Sequence, residues 1–140
     1  MEYASCVWDP YLAKHIHSVE MVQHRAARFI CSQYSRDDSV TAMLNELKLS
    51  TLQDRRKHSR LKMFYKINKD ILPIAKPLSL QLKPTQRRND NGCAYTHMSA
   101  KTDLFYNSYF PRTIRDWNEL SSRTVTSDSI SKFATNLCNN

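Results

Sequence analysis

Glycine is nearly missing from this chain of 140 residues, where it occurs once, at Gly92. A glycine-rich loop that cradles phosphates needs several glycines in a short stretch, so both common kinds of nucleotide-binding loop are excluded. Long apolar runs are missing as well, since none approaches the roughly 20 residues that a membrane-spanning helix requires. Met1 does not open a signal peptide. The sequence therefore predicts an intracellular protein, nuclear or cytoplasmic, that does not insert into a membrane.

The four cysteines, Cys6, Cys31, Cys93 and Cys138, have no paired spacing. Zinc sites and disulfide frameworks show such spacing, so these residues are predicted to be reduced thiols. Catalytic signatures are also missing, because no serine lies in a nucleophile elbow and no HExxH pair occurs. The sequence predicts no catalytic residue, no metal ligand and no cofactor.

Two groups of residues invite a metal-binding interpretation. His17, Glu20 and His24 fall on one side of a helix by their spacing, but no fourth ligand accompanies them, and a solvated helix face is the alternative. A metal-dependent polymerase holds its aspartates at the tip of a strand hairpin. Asp37 and Asp38 instead precede a predicted helix start, where negative charge is favourable. Both groups are predicted to be surface features.

Positive charge is what the sequence has in excess. Its 21 lysines and arginines outnumber 13 acidic residues and give a formal net charge of +8. This balance favours an acidic partner such as nucleic acid or an anionic membrane surface, without choosing between them. The length is enough for one domain with its own core.

Apolar residues recur at helical spacing in residues 11–32, 39–47, 50–69, 111–120 and 128–138. The predicted fold class is therefore mostly α, a small single domain of about five helices over residues 1–140. The apolar sides of these helices are predicted to share one core. Prolines break residues 71–93, which are predicted to form an extended connector and to be the least ordered part. Aromatic and threonine-rich runs predict a candidate β-hairpin that turns at residues 101–103, between the connector and the C-terminal helices.

The helix predicted over residues 50–69 has two distinct sides. Ser50 with Gln53, and Thr51 with Asp54, have the capping-box spacing. Its apolar side comprises Leu52, Met63, Phe64 and Ile67, and its basic side comprises Arg55, His58, Lys62, Lys66 and Lys69. Arg56 and Arg60 fall within the apolar sector. Either their charged ends reach water, or they pair with a carboxylate or a phosphate.

Near the C-terminus, Pro111 is predicted to open a helix, with Tyr109 and Ile114 forming a hydrophobic staple. Trp117 is predicted to pack in the core, with base stacking as the alternative. Ser127 is predicted to cap the last helix, as Ser39 caps the second.

At the N-terminus, residues 2–8 look helical but have no cap. That abrupt start suggests a start codon inside a longer protein. It also predicts that Tyr3, Val7 and Trp8 form an exposed patch capable of self-association.

Five blocks follow one another along the chain: EYASCVWDP, VEMVQHRAARFI, SVTAMLNEL, LQDRRKHSRLKMFYKI and SYFPRTIRDWNEL. In this order they resemble the C-terminal end of reverse transcriptases from non-LTR retrotransposons (LINEs) of the jockey-like and chicken-repeat-like lineages. The resemblance covers nearly the whole chain and implies a thumb, in residues 1–70, and the segment after it. The implied parent activity is RNA-directed DNA synthesis primed at a nicked target site. The family's catalytic aspartates precede the matching region, so none carries over.

A thumb holds template and primer, so the resemblance implies that basic residues on the matching helices contact the backbone of RNA or DNA. The residues predicted to do so, with Lys69 added from the basic side of the long helix, are Arg25, Arg28, Arg55, Lys62, Lys66, Lys69, Arg112 and Arg115. Two functions remain open. One is a non-catalytic module that binds nucleic acid without reading its sequence; the other is an inert or protein-interacting helical remnant of a decayed transposon copy.

Overall fold

The computed structural model describes residues 4–84 and 93–138, and helices dominate both ranges. They are α1 (Ala13–Cys31), α2 (Val40–Glu46), α3 (Leu52–Asn68), α4 (Asp103–Tyr106), α5 (Tyr109–Asn118), α6 (Ser122–Val125) and α7 (Ile130–Cys138). Within the two ranges, extended segments pair only at one antiparallel bridge, between Leu82 and Tyr95. The fold class is mostly α, as the sequence predicts. None of the helices in the described ranges combines the length and apolar character needed to cross a bilayer.

The starts of α2 and α3 are fixed by the predicted caps. The Ser39 hydroxyl accepts a backbone N–H from the first turn of α2 at 3.4 Å. The Thr51 hydroxyl accepts the Asp54 N–H at 3.1 Å and donates to the Asp54 carboxylate at 2.6 Å. Ser50 is not the cap; its carbonyl accepts a hydrogen bond from the Gln23 side chain at 3.0 Å.

Three helix ends use a left-handed residue that is not glycine. Ser32, Lys48 and Asp70 follow α1, α2 and α3 with φ angles of 53°, 53° and 54°. After each one, the next N–H bonds the carbonyl five residues back, in the pairs Gln33–Arg28, Leu49–Leu44 and Ile71–Lys66. This arrangement normally has glycine at the left-handed position, because a Cβ is unfavourable there. The scarcity of glycine thus has a direct structural consequence.

A large aromatic core lies between α3, α5, α6 and α7. Its buried members are Leu61, Phe64, Tyr65, Tyr95, Ile114, Trp117, Leu120, Val125, Phe133 and Leu137. The Trp117 ring is fully buried, with Phe64 edge-on at 5.0 Å and Phe133 stacked at 5.7 Å. Its indole N–H donates to the Cys93 carbonyl at 3.1 Å. The predicted packing role of Trp117 is confirmed.

A second, much smaller core joins α1 to α2. Its buried residues are Ala27, Met43 and Leu44. In α1 only Gln23 and Ala27 are buried, whereas Val22, Phe29 and Ile30 are exposed. The prediction that the whole apolar side of α1 enters a common core is therefore wrong, because α2 and α3 cover only one edge of that side.

Residues 4–8 form turns, so the predicted N-terminal helix is wrong over that part. Ala4 has a positive φ of 52°, and its carbonyl accepts the Val7 N–H at 2.8 Å. The following Asp9-Pro10 pair also disfavours helix, since the residue before a proline avoids the helical region. Tyr3, one residue of the predicted apolar patch, lies outside the described residues.

The predicted hairpin at residues 101–103 is also wrong. Thr102 caps α4 instead, its hydroxyl accepting the Phe105 N–H at 3.3 Å, with Asp103 in the first turn. A threonine followed by an aspartate suits a helix start as well as a turn. The bridge partner of Tyr95 comes from the connector, which is extended in its described part; residues 85–92 lie outside the described ranges.

The last helices are shifted from their predicted starts. Helix α5 begins at Tyr109, so Pro111 is its third residue and the predicted staple does not form. The Tyr109 hydroxyl instead donates to the Arg60 carbonyl at 3.2 Å. Ser129, not Ser127, caps α7 through its side-chain oxygen. The Ser127 carbonyl is held by the buried Tyr65 hydroxyl at 2.7 Å, which fixes the loop before that helix.

Candidate nucleic-acid interface

Three lysines, two on α3 and one at its C-cap, lie on one side of the helix beside the aromatic core, where the Lys69 ammonium is 5.9 Å from the centre of the Tyr65 ring. Lys69 is exposed, and Lys62 and Lys66 are half-buried through their stems. The three residues span seven positions, or roughly 10 Å along the helix axis. Within residues 4–84 and 93–138, no carboxylate forms an ion pair with any of them. We name Lys62, Lys66 and Lys69 the lysine strip.

His58 begins the same side of α3, one turn before Lys62. Burial lowers the pKa of the His58 imidazole below its ordinary value, and the nearby positive charge of Lys62 lowers it further. Asp54 acts in the opposite direction and is weaker than either. The His58 imidazole is therefore close enough to Lys62 for its pKa to respond to the charge at this end of the lysine strip.

Arg55 lies at the other end of this side and has a structural partner. Its guanidinium donates to the Gln23 side-chain oxygen at 2.6 Å, while the amide nitrogen of Gln23 donates to the Ser50 carbonyl. The Glu20 carboxylate accepts the Gln53 N–H at 2.9 Å and so satisfies a free donor at the start of α3. These bonds attach α1 to α3. The observed role of Arg55 is therefore structural, since its guanidinium connects the two helices.

The capping role of Glu20 also bears on the metal interpretation of His17, Glu20 and His24. The Glu20 carboxylate, one of the three candidate ligands, already accepts a hydrogen bond from the Gln53 N–H. Among the residues that the structure describes, no group of three histidine, cysteine, aspartate or glutamate side chains is placed to hold a metal ion.

Two predicted nucleic-acid ligands lie on α1, away from the lysine strip in sequence. Arg25 is exposed. Arg28 is half-buried, and its guanidinium donates to the carbonyls of Ser35 at 2.9 Å and Asp38 at 3.5 Å. Arg28 therefore holds the loop between α1 and α2 in place.

The predicted ligands on α5 are also engaged within the protein. Arg112 is half-buried and contacts Asp9, both at its carboxylate, 3.2 Å away, and at its carbonyl. Burial is the largest influence on Arg112 and lowers its pKa. Arg115 donates to the Tyr106 carbonyl at 2.8 Å and stacks on the Tyr106 ring at 3.7 Å. Both arginines fasten neighbouring segments to α5.

The two arginines in the apolar sector of α3 are both buried. Arg60 pairs with the carboxylates of Asp9 and Asp116, which supports the second of the two alternatives open at the sequence level. Arg56 lies over the Trp8 ring at 4.2 Å. Sequence reasoning left open whether the charged end of Arg60 reaches water or pairs with an anion, and it could not identify the partners, which lie 51 and 56 residues away.

An apolar cavity of about 540 Å³ opens beside the Arg60 network, between the N-terminal turns, α3 and α5. Its charged lining, Asp9, Arg60 and Arg112, is already mutually paired. Burial raises the pKa of the Cys6 thiol at its edge, which disfavours the reactive thiolate. The lining is thus suited to packing rather than to acid–base chemistry.

No protein-family model, curated protein or solved structure matches this chain.

Proposed function

We propose that this chain binds the phosphate backbone of RNA or DNA without reading base sequence, as the thumb and following segment of a non-LTR retrotransposon reverse transcriptase. The observation that carries the proposal is the lysine strip on α3. Three ammonium groups lie along one helix side with no ion-pair partner among the described residues. Charge runs are also found on plain solvated faces, so the strip needs a direct test.

The geometry narrows the set of phosphate ligands. Arg28, Arg112 and Arg115 hold protein carbonyls, and Arg55 holds Gln23, so their guanidinium groups are less available to phosphate. The remaining predicted ligands are the lysine strip and Arg25. Phosphate contacts fix the position of a nucleic acid but carry no sequence information. The proposed binding is therefore independent of sequence.

A salt titration tests the proposal quantitatively. Each phosphate neutralised on duplex DNA contributes about −0.9 to the slope of log affinity against log salt. Three lysine contacts predict a slope of about −2.7 for this surface, and the variant Lys62→Gln with Lys66→Gln should reduce it by about 1.8. Glutamine is nearly as good a helix former as lysine, so α3 should remain folded. Fluorescence anisotropy with labelled duplex DNA and with an RNA–DNA hybrid provides the measurement.

The matched control is Lys101→Gln with Lys132→Gln, which removes the same amount of charge from other elements. This variant should keep most of the salt slope. Equal binding by both double variants would mean that net charge alone is responsible, and absence of binding at low salt would refute the proposal.

The proposed role is non-catalytic, because the sequence has no aspartate pair on a strand hairpin to hold the two metal ions of a polymerase. Primer extension on a primed RNA template with magnesium should yield no product from the purified chain. Template-dependent incorporation would contradict this expectation.

The alternative function, a protein-interacting helical remnant, has its own supporting observation. Val7 is 87% exposed and Trp8 is 45% exposed although it lies against Arg56. Large apolar side chains at the surface favour association. Self-association that weakens when Val7 and Trp8 become serine, in sedimentation experiments, would support this alternative; an unchanged monomer would remove it.

A further inference from the structure

The C-terminal end of α1 and the loop after it carry two exposed aromatic residues. Phe29 is 74% exposed and Tyr34 is 66% exposed, with Ile30 also exposed between them. The helical spacing of α1 predicts Phe29 in the core, but α2 packs against the opposite edge of α1, at Ala27. Apolar surface of this kind, adjacent to polar residues, marks an interaction site. We name Phe29 and Tyr34 the aromatic platform.

Two exposed arginines lie close to the platform in the sequence. Arg25 precedes Phe29 by one helical turn, so both side chains share a face of α1, and Arg36 is exposed two residues after Tyr34. The nearest acidic residues are Asp37 and Asp38, which follow directly. The Asp38 carboxylate accepts a hydrogen bond from the Ser35 N–H at 2.8 Å. The surroundings of the platform therefore favour an anionic partner.

The loop that carries Tyr34 is held by several hydrogen bonds. The Gln33 N–H donates to the Arg28 carbonyl at 3.1 Å, and the Arg28 guanidinium donates to the Ser35 carbonyl at 2.9 Å. Tyr34 lies between these two fixed residues. An aromatic ring that is presented on a fixed backbone loses little conformational entropy when it binds a partner.

The chemistry of the partner follows from this combination of aromatic rings and arginines. Unpaired nucleobases offer flat faces that stack on aromatic side chains, while their phosphates pair with cations. Base pairs inside a duplex do not offer those faces. A second copy of this chain is a poor partner, because a symmetric contact brings Arg25 and Arg36 of each copy toward like charges.

We infer that the aromatic platform binds single-stranded nucleic acid by stacking unpaired bases on Phe29 and Tyr34, with Arg25 and Arg36 on the adjacent phosphates. This inference rests on the proposed function, to which it adds a second contact and a class of ligand. The lysine strip holds backbone phosphates of either duplex or single strand, whereas the platform distinguishes the two. The chain thereby prefers nucleic acid that contains unpaired bases.

Two ligands test the inference: a single-stranded oligonucleotide that contains 2-aminopurine, and a duplex of the same sequence. Alanine replacement of a stacking aromatic weakens binding of a base by roughly 5- to 150-fold. The variant Phe29→Leu with Tyr34→Leu keeps apolar area but loses both rings, so it should bind the single strand at least about tenfold more weakly. Its affinity for the duplex should stay unchanged, and the fluorescence quenching of 2-aminopurine should disappear.

Matched controls distinguish the contribution of the aromatic rings to binding from the contribution of exposed apolar area. Phe29→Tyr with Tyr34→Phe keeps both rings and should retain single-strand binding. Val22→Ala with Ile30→Ala removes exposed apolar area from the same helix and should also retain it. Because all these positions are at the surface, thermal unfolding should be similar for every variant.

The possible outcomes separate the two proposals. If the leucine variant binds the single strand like the original protein while the lysine-strip variant is weakened, the platform inference fails and the proposed function stands. If only the leucine variant binds the single strand more weakly, the lysine strip does not contact the phosphates, and the inference about the aromatic platform stands. Loss of a dimer in sedimentation without loss of single-strand binding would make a second copy the partner and overturn the inference.

Discussion

The two cores of this protein differ in what holds them together. The core of α3, α5, α6 and α7 contains ten buried apolar or aromatic residues, with Trp117 fully enclosed. The core of α1 and α2 contains three. Helix α1 is attached to α3 through polar contacts of Gln23 and Glu20. The comparison shows that the chain has a firmly packed part and a lightly packed part. The aromatic platform lies on the lightly packed part, whereas the lysine strip lies along α3, which belongs to the firmly packed part.

This difference has a functional consequence. Local opening is easiest where few apolar contacts are buried. Helices α1 and α2 should therefore open at a lower free energy than the aromatic core, carrying the aromatic platform with them. The lysine strip lies along α3, which is anchored in the aromatic core through Leu61, Phe64 and Tyr65, so it should keep its shape during such opening.

The largest effect is expected from Trp117→Ala. Removing a buried tryptophan costs about 3–5 kcal/mol, a large share of the stability of a small domain. All probes of unfolding in urea should then shift together. Met43→Ala in the smaller core should cost about 2 kcal/mol and act locally, since large-to-small changes depend on how far the site collapses.

Hydrogen exchange distinguishes the two variants. In Met43→Ala, amides of α1 and α2 should lose protection while the Trp117 indole N–H, bonded to the Cys93 carbonyl, remains slow to exchange. Rapid exchange of that indole in Met43→Ala would show that the two cores unfold as one unit.

A medium effect is expected from Gln23→Ala, which removes both hydrogen bonds between this side chain and the start of α3. Each bond contributes about 0.5–1.5 kcal/mol, so the loss of both should cost about 1–3 kcal/mol and should appear as weaker protection of α1 amides. Gln33→Ala, an exposed glutamine just beyond α1, is the control and should have no effect. Equal effects of both substitutions would contradict the role assigned to Gln23.

Lys48→Gly should stabilise the lightly packed part. Lys48 has a φ of 53°, a conformation that costs a residue with a Cβ about 1 kcal/mol or more relative to glycine. Part of that gain is offset because glycine has more freedom in the unfolded chain, which leaves about 0.5 kcal/mol. Lys62→Gly in the interior of α3 should instead lose about 1 kcal/mol. Thermal denaturation of the two variants gives opposite signs if the backbone explanation is correct.

The smallest effect concerns pH. Burial and then Lys62 lower the pKa of His58 below its ordinary value of 6.5. As the pH falls through 6.5, the unfolded chain binds this proton before the folded protein does, so the free energy of unfolding decreases. Lys62→Gln should raise the pKa of His58 and make that decrease smaller. An NMR titration of the imidazole measures the change, and Lys132→Gln should leave it unaltered.

The same NMR titration of His58 can be repeated with nucleic acid bound to the protein. A phosphate near the lysine strip stabilises the protonated imidazole, so single-stranded or duplex nucleic acid should raise the pKa of His58. If the pKa stays the same in the presence of saturating nucleic acid, the ligand does not lie on this side of α3.

The sequence by itself determined the elements whose causes are local. The hydroxyls of Ser39 and Thr51 cap α2 and α3 as their spacing predicts, since a cap acts within one helical turn. The periodic pattern identified the longer helices and placed Arg60 within an apolar sector.

Tertiary structure alone decided which surfaces are covered. Periodicity shows which residues share a helix side but not how much of that side a neighbour covers, so it could not predict that Phe29 stays exposed while Gln23 is buried. The same limit applies to charge. Arg112 looks like a free cation in the sequence, but the fold brings Asp9 to it across about 100 residues, and an ion pair depends on distance in space rather than along the chain.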